Sequence, residues 1–120
     1  MSDNWREDFV YEPGKIVPDV VRVIIPGSVE TIPTDAFRMH RVLQEVVVKE
    51  GVIEVGENAF LCCESLEQLA LPSTLVRIGK LAFARTSLKE VNLQENITEL
   101  GPFSFCRCDY LRHVIFPNGF

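Results

Sequence analysis

Val52-Ile-Glu-Val-Gly-Glu-Asn-Ala-Phe60 is one of four copies of a single phrase. The others are Val29-Glu-Thr-Ile-Pro-Thr-Asp-Ala-Phe37, Leu75-Val-Arg-Ile-Gly-Lys-Leu-Ala-Phe83 and Ile97-Thr-Glu-Leu-Gly-Pro-Phe-Ser-Phe105. The closing phenylalanines at 37, 60, 83 and 105 are spaced by 23, 23 and 22 residues. A fixed period of this size marks a stacked repeat array, in which no unit buries its apolar face alone.

Each phrase is coupled to a second one with apolar residues at its first, fourth and sixth places. Its copies start at Leu43, Leu66, Leu88 and Leu111, and a fifth, Val20-Val-Arg-Val-Ile-Ile25, precedes them. Apolar fourth and sixth places separated by a variable one predict a strand with one buried face. Pro26, Pro72 and Pro117 end three of these strands, because proline has no N–H for a ladder bond. Tight turns at Pro26-Gly27, Glu50-Gly51 and Asn118-Gly119 lead into a shorter extended piece, and Gly56, Gly79 and Gly101 (Pro33 in the first copy) bend the chain again. The Ala-Phe pair that follows reads as one helical turn with the ring inward. Stacking then predicts a column of Phe37, Phe60, Phe83 and Phe105 beside the small residues Ala36, Ala59, Ala82 and Ser104. One residue is missing between Phe83 and Leu88, where a step of five replaces the step of six seen elsewhere. That irregularity is expected to stay within a surface connection, where length changes are tolerated.

Over residues 20–120 these two phrases, in register in four copies, resemble the BspA-like class of leucine-rich repeat. The resemblance implies an α/β repeat fold: a leucine-rich-repeat solenoid with a parallel β-sheet on its concave side and turns or short helical pieces on its convex side. It also implies a binding or adhesion module. The departures are Ser104 for alanine, Pro33 for glycine, and His40, Cys63, Thr86 and Cys108 at the cysteine position of the pattern.

A length of 120 residues suits one domain. Residues 1–19 lie outside the repeat, and Trp5, Phe9, Val10 and Tyr11 are expected to cap the first coil. Residues 20–120 hold about four and a half units and present an uncapped C-terminal end. An open edge strand invites pairing. The expectation is therefore either a longer natural chain or stacking of a partner through that edge. No apolar run reaches the roughly 18 residues of a membrane span. The polar, acidic start is unlike a secretory signal. Together with free cysteines it favours an intracellular protein, or the cell surface if the segment belongs to a longer one. A formal charge of −5 with dispersed basic residues argues against nucleic acid.

Chemistry-bearing residues have plain structural readings. Cys62, Cys63, Cys106 and Cys108 lack the spacing of zinc knuckles. Cys63 and Cys108 hold the same place two rungs apart, about 9.6 Å, beyond the roughly 7 Å a disulfide spans. They read as buried free thiols. His40 and His113 read as solvated surface residues, and no nucleophile elbow, phosphate loop or zinc-protease motif occurs. Neither catalysis, cofactor nor metal is expected. The residue between the two buried strand positions reads Ile24, Val47, Ala70, Asn92 and Ile115, and beside it run Arg22, Glu45, Gln68, Glu90 and His113. An apolar stripe rimmed by polar columns suits a protein partner. These ten residues are the expected binding surface of a non-catalytic recognition scaffold. The alternative is a spacer within a longer adhesin-like array.

Overall fold

The computed structural model describes residues 8–118. Its ten short strands are β1 (Phe9–Val10), β2 (Arg22–Ile25), β3 (Thr31–Ile32), β4 (Glu45–Val48), β5 (Glu54–Val55), β6 (Gln68–Ala70), β7 (Arg77–Ile78), β8 (Glu90–Asn92), β9 (Glu99–Leu100) and β10 (His113–Ile115). All pairings are parallel and join equivalent positions of successive coils, such as Val23 with Val46 and Val46 with Leu69. Two strand stacks result. One carries β1-β2-β4-β6 and, separately, β8-β10; the other runs unbroken as β3-β5-β7-β9. This is a parallel β-solenoid of about four turns.

The core lies between the stacks. Val23, Val46 and Val91, with Leu43, Leu66 and Leu88, come from the first; Ile32, Val55 and Ile78 come from the second. The phenylalanines form the expected column. Centroids are 5.0 Å apart for Phe37–Phe60, 5.1 Å for Phe60–Phe83 and 5.5 Å for Phe83–Phe105, with interplanar angles of 3°, 4° and 9°. The rings thus follow the inter-strand spacing. At the N-terminal end the Tyr11 ring tilts 52° over Phe37 at 5.2 Å, and β1 pairs with β2. Trp5, assigned to the same cap from sequence, lies outside the described residues, as do Gly119 and Phe120.

The Ala-Phe segment differs from the expected helical turn. No helix occurs among the described residues. The reason is a division of hydrogen bonds between local and stacked partners. In the first coil the N–H groups of Ala36, Arg38 and His40 close local turns on Pro33, Asp35 and Phe37. Those of Asp35, Phe37 and Met39 donate instead to Glu57, Ala59 and Leu61 of the next coil, at 2.7–3.0 Å. A helix would turn every N–H inward along its own axis and leave the coils unjoined. Alternation requires left-handed residues at two places per coil, seen as φ of 58° to 62° at Asp35/Met39, Asn58/Cys62, Leu81/Arg85 and Phe103/Arg107. Asp and Asn accept that conformation readily; leucine, arginine and phenylalanine adopt it at a cost.

Pro33 has a simple account. A Cβ on Gly56 would lie 2.5 Å from the Ile32 carbonyl oxygen of the preceding coil, and one on Gly79 would lie 2.7 Å from the Glu57 nitrogen. Glycine is needed where a coil rests on the coil before it. Among the described residues the first coil's bend has no earlier turn of the same kind beneath it, which leaves room for a ring there.

Candidate functional site

The missing residue between Phe83 and Leu88 does not stay in the surface connection. At three junctions two neighbouring N–H groups fork onto one carbonyl of the preceding coil: Gln44 and Glu45 on Val21, Glu67 and Gln68 on Gln44, Arg112 and His113 on Lys89. At the junction of the third and fourth coils the shortened connection brings the Ser87 N–H onto the Leu66 carbonyl at 2.9 Å instead. β6 and β8 do not pair, and the first sheet divides there. The ring spacing is widest across the same junction. Side chains bridge it, as they do the paired junctions, where for example the Ser65 hydroxyl donates to the Arg41 carbonyl at 2.6 Å. The Ser87 hydroxyl donates to the Glu64 carbonyl, the Asn96 amide donates to the Ser73 carbonyl at 2.6 Å, and Lys89 pairs with Glu67 at 3.8 Å.

Above this seam the outer side of the sheet opens into a groove of about 560 Å³, lined by Glu67, Gln68, Leu69, Lys89, Glu90, Val91, Asn92, Arg112, His113 and Ile115. Leu69 occupies the inward place that Val23, Val46 and Val91 fill fully buried, yet it is only half-buried. The seam therefore exposes part of the hydrophobic core as a groove floor. Gln68, Glu90 and His113 hold the same place in successive repeats and form its middle row, all three exposed; Glu90 and His113 are paired in register.

The ten residues singled out from sequence fall into two groups. Arg22 bonds both Asp8 and Glu45, the latter at 3.2 Å, which raises the guanidinium further above its already high value through those hydrogen bonds. Ile24 and Val47 beside them are half-buried, so β2 and β4 offer an ion-paired, partly covered surface rather than an open apolar stripe. Gln68, Ala70, Glu90, Asn92 and Ile115 are exposed, as is His113, and all of these except Ala70 line the groove. Glu67, Lys89, Arg112, Leu69 and Val91 complete it. The signal that could have found them is the one-residue deficit, since it determines where the ladder fails.

The cysteine position proves to be a hydrogen-bonding one. Cys63 Sγ donates to the Phe37 carbonyl at 3.0 Å, Cys108 Sγ to the Phe83 carbonyl at 3.1 Å, and the Thr86 hydroxyl to the Phe83 carbonyl at 3.0 Å. A small donor here anchors the turn that carries the stacked ring. Cys63 is fully buried, and loss of hydration pushes its thiol up to about 12. Cys108 is half-buried, not buried as the sequence suggested. All four cysteines are free. His40 is half-buried and its Nε2 lies 2.8 Å from the Pro18 carbonyl, which corrects the solvated reading; His113 is exposed. Among the described residues no group of three or more His, Cys, Asp or Glu side chains is placed to hold a metal ion. No described helix is long and apolar enough to cross a membrane.

Known proteins bear on this geometry through the repeat. Among solved structures, a leucine-rich repeat protein from Bacteroides ovatus is similar at a TM-score of 0.76 and 31% identity, over 82% of this chain and 26% of that one. The pneumococcal vaccine antigen PcpA is similar at 0.75 and 25% identity, over 78% and 24%. The T. pallidum leucine-rich repeat protein shares the fold at 0.64 and 23% identity, over 83% and 60%. The chain thus spans about a quarter of the first two structures. Among curated protein sequences none matches it. The family model for the BspA type leucine rich repeat region matches residues 18–120 with six copies, and the chain belongs to that family.

Proposed function

We propose that this chain is a non-catalytic recognition segment that holds a protein or peptide on the open side of its first sheet. The observation that carries the reading is the seam. Repeat scaffolds of this kind are compatible with recognition or adhesin-like roles, and here one junction combines an accessible apolar floor with charged and amide side chains. Convergence of a few polar groups over apolar surface is what recognition sites share. The paired and half-buried surface of β2 and β4 then serves as rim.

The test is selection of a displayed random peptide library on the purified chain, compared with an Ala70→Arg/Ile115→Glu variant. Both positions are exposed, so the circular dichroism should not change. Peptides retained by the parent and lost by the variant support the reading. Peptides held equally by both, with the fold intact, refute it.

A second reading, that the segment spaces other parts of a longer array, is favoured by the unbroken β3-β5-β7-β9 stack and by the quarter-length overlap with two larger proteins. In that case the library yields no peptide that discriminates the two forms.

A further inference from the structure

Resting on the recognition reading, we propose that the groove over the β6/β8 seam is a pocket for one basic side chain, lysine or arginine, of an extended peptide segment. The argument starts at Glu90. It stands on β8 in the middle row of the groove, with an amide on one side (Gln68) and an imidazole on the other (His113). Among the described residues no cation pairs with its carboxylate, whereas the acids nearest it in kind are occupied: Glu67 by Lys89 and Glu45 by Arg22. An unpaired carboxylate at the centre of a recess is the partner a guest ammonium or guanidinium lacks.

The floor selects the same guest. Leu69 and Val91 lie beneath the row and Ile115 forms one wall. Lysine and arginine carry long aliphatic stems that lie along apolar surface while the charge stays at its edge. A short polar guest would leave Leu69 wet, and an apolar guest would desolvate Glu90 without compensation. The chain's formal charge of −5 adds long-range attraction for a basic segment.

Two cations of the lining oppose such a guest, Lys89, which is paired with Glu67, and Arg112. The Arg112 guanidinium lines the same groove and has no ion-pair partner among the described residues. It disfavours a second cation on that side and favours an acid, so the segment that fits best carries one basic residue with an acidic one beyond it, not a run of bases.

The experiment is fluorescence anisotropy on the whole chain with labelled peptides Gly-Ser-Leu-X-Leu-Ser-Gly, where X is Lys, Arg, Gln or Glu. Lysine and arginine peptides should bind about fivefold more tightly than the glutamine peptide, a modest margin because the site is open to water. The preference should shrink to less than twofold in Glu90→Gln, and should persist in Glu50→Gln, which removes a carboxylate outside the groove. Equal binding for all X, preference for X = Glu, retention of the preference in Glu90→Gln, or no saturable binding with any X each overturns the proposal. If glutamine or glutamate peptides bind and are lost in Ala70→Arg/Ile115→Glu, the recognition reading survives while the basic-guest assignment falls.

Discussion

The junction of the second and third coils and the junction of the third and fourth are built from nearly the same phrases, yet they differ in kind. At the first, β4 and β6 pair across three positions and the rings of Phe60 and Phe83 stack at 5.1 Å. At the second, β6 and β8 do not pair, the rings stand 5.5 Å apart, and a groove opens. One residue fewer between Phe83 and Leu88 makes the difference. In a solenoid the connection sets the phase at which the next strand arrives, so a length change there is read out in the sheet. The second stack, lying a turn downstream, recovers its register and pairs Arg77 with Glu99.

The largest effect expected from breaking this comparison lies in the shared ring column. Phe60→Ala removes a fully buried ring stacked on both faces, and should cost about 3–5 kcal/mol. Phe105→Ala should cost clearly less, because Phe105 is half-buried and among the described residues is stacked on one side only. Urea denaturation of both variants measures the gap. Equal losses would mean that the column is not what holds successive coils.

Next in size is the glycine bend, which both junctions use. A Cβ at position 79 would meet the Glu57 nitrogen at 2.7 Å and the Gly56 carbonyl carbon at 2.8 Å. Backbone cannot yield as a flexible side chain does, so Gly79→Ala should destabilise by about 1–3 kcal/mol. Pro33→Gly, in the coil without that constraint, should lower the melting temperature far less.

Most of the fold was legible because period and phase of the apolar residues report stacking directly. The four phenylalanines and the Val23/Val46/Leu69 column follow from which residue sits over which; the pattern reads the glycines at 56, 79 and 101 only as bends, and their close approach to the preceding coil is visible in the structure alone. The helical turn did not follow. Ala-Phe is as good a helix former as a turn former in isolation, and only the partners of Phe37 and Met39 in the next coil decide against it. The candidate site was half legible for a similar reason. Gln68, Glu90, Asn92, His113 and Ile115 were named from strand alternation and do line the groove. Arg22, Glu45, Ile24 and Val47 were named on the same grounds, but pairing and partial burial cover them. Alternation says which side a residue faces; it does not say whether a neighbour will occupy it. Nor does it show that a deleted surface residue lifts the cover from Leu69.

The comparison can be inverted by restoring what is missing. Inserting one residue between Arg85 and Thr86 gives the fourth coil the five-residue connection between phenylalanine and leucine found elsewhere. Pairing of β6 with β8 should follow, with slower amide exchange at Glu90 and Asn92. Covering the rest of Leu69 should stabilise by about 1 kcal/mol, and the groove's peptide binding should be lost. A gain of stability without new amide protection would mean that the seam has another cause.

The smallest effect concerns the proline-turn edge, where both junctions are bridged by side chains. Ser73 receives the Asn96 amide on its carbonyl across the seam, and across the intact junction its own N–H and hydroxyl donate to Glu50 at 2.9–3.1 Å. Those donors, the backbone N–H foremost, hold the Glu50 carboxyl below its ordinary value. The folded state therefore releases this proton more readily than the unfolded chain. Stability from Glu50 is fully present above the unfolded value of about 4.3 and is lost as pH falls through the lower folded one. Glu50→Gln keeps an acceptor for Ser73 but cannot titrate, so its urea midpoint should fall less steeply than the parent's below that pH. Because the carboxylate is solvent-exposed, the difference should be small and should shrink in salt. Parallel midpoint curves for parent and variant from pH 6 to 3 would show that the bridge across the intact junction carries no acid sensitivity.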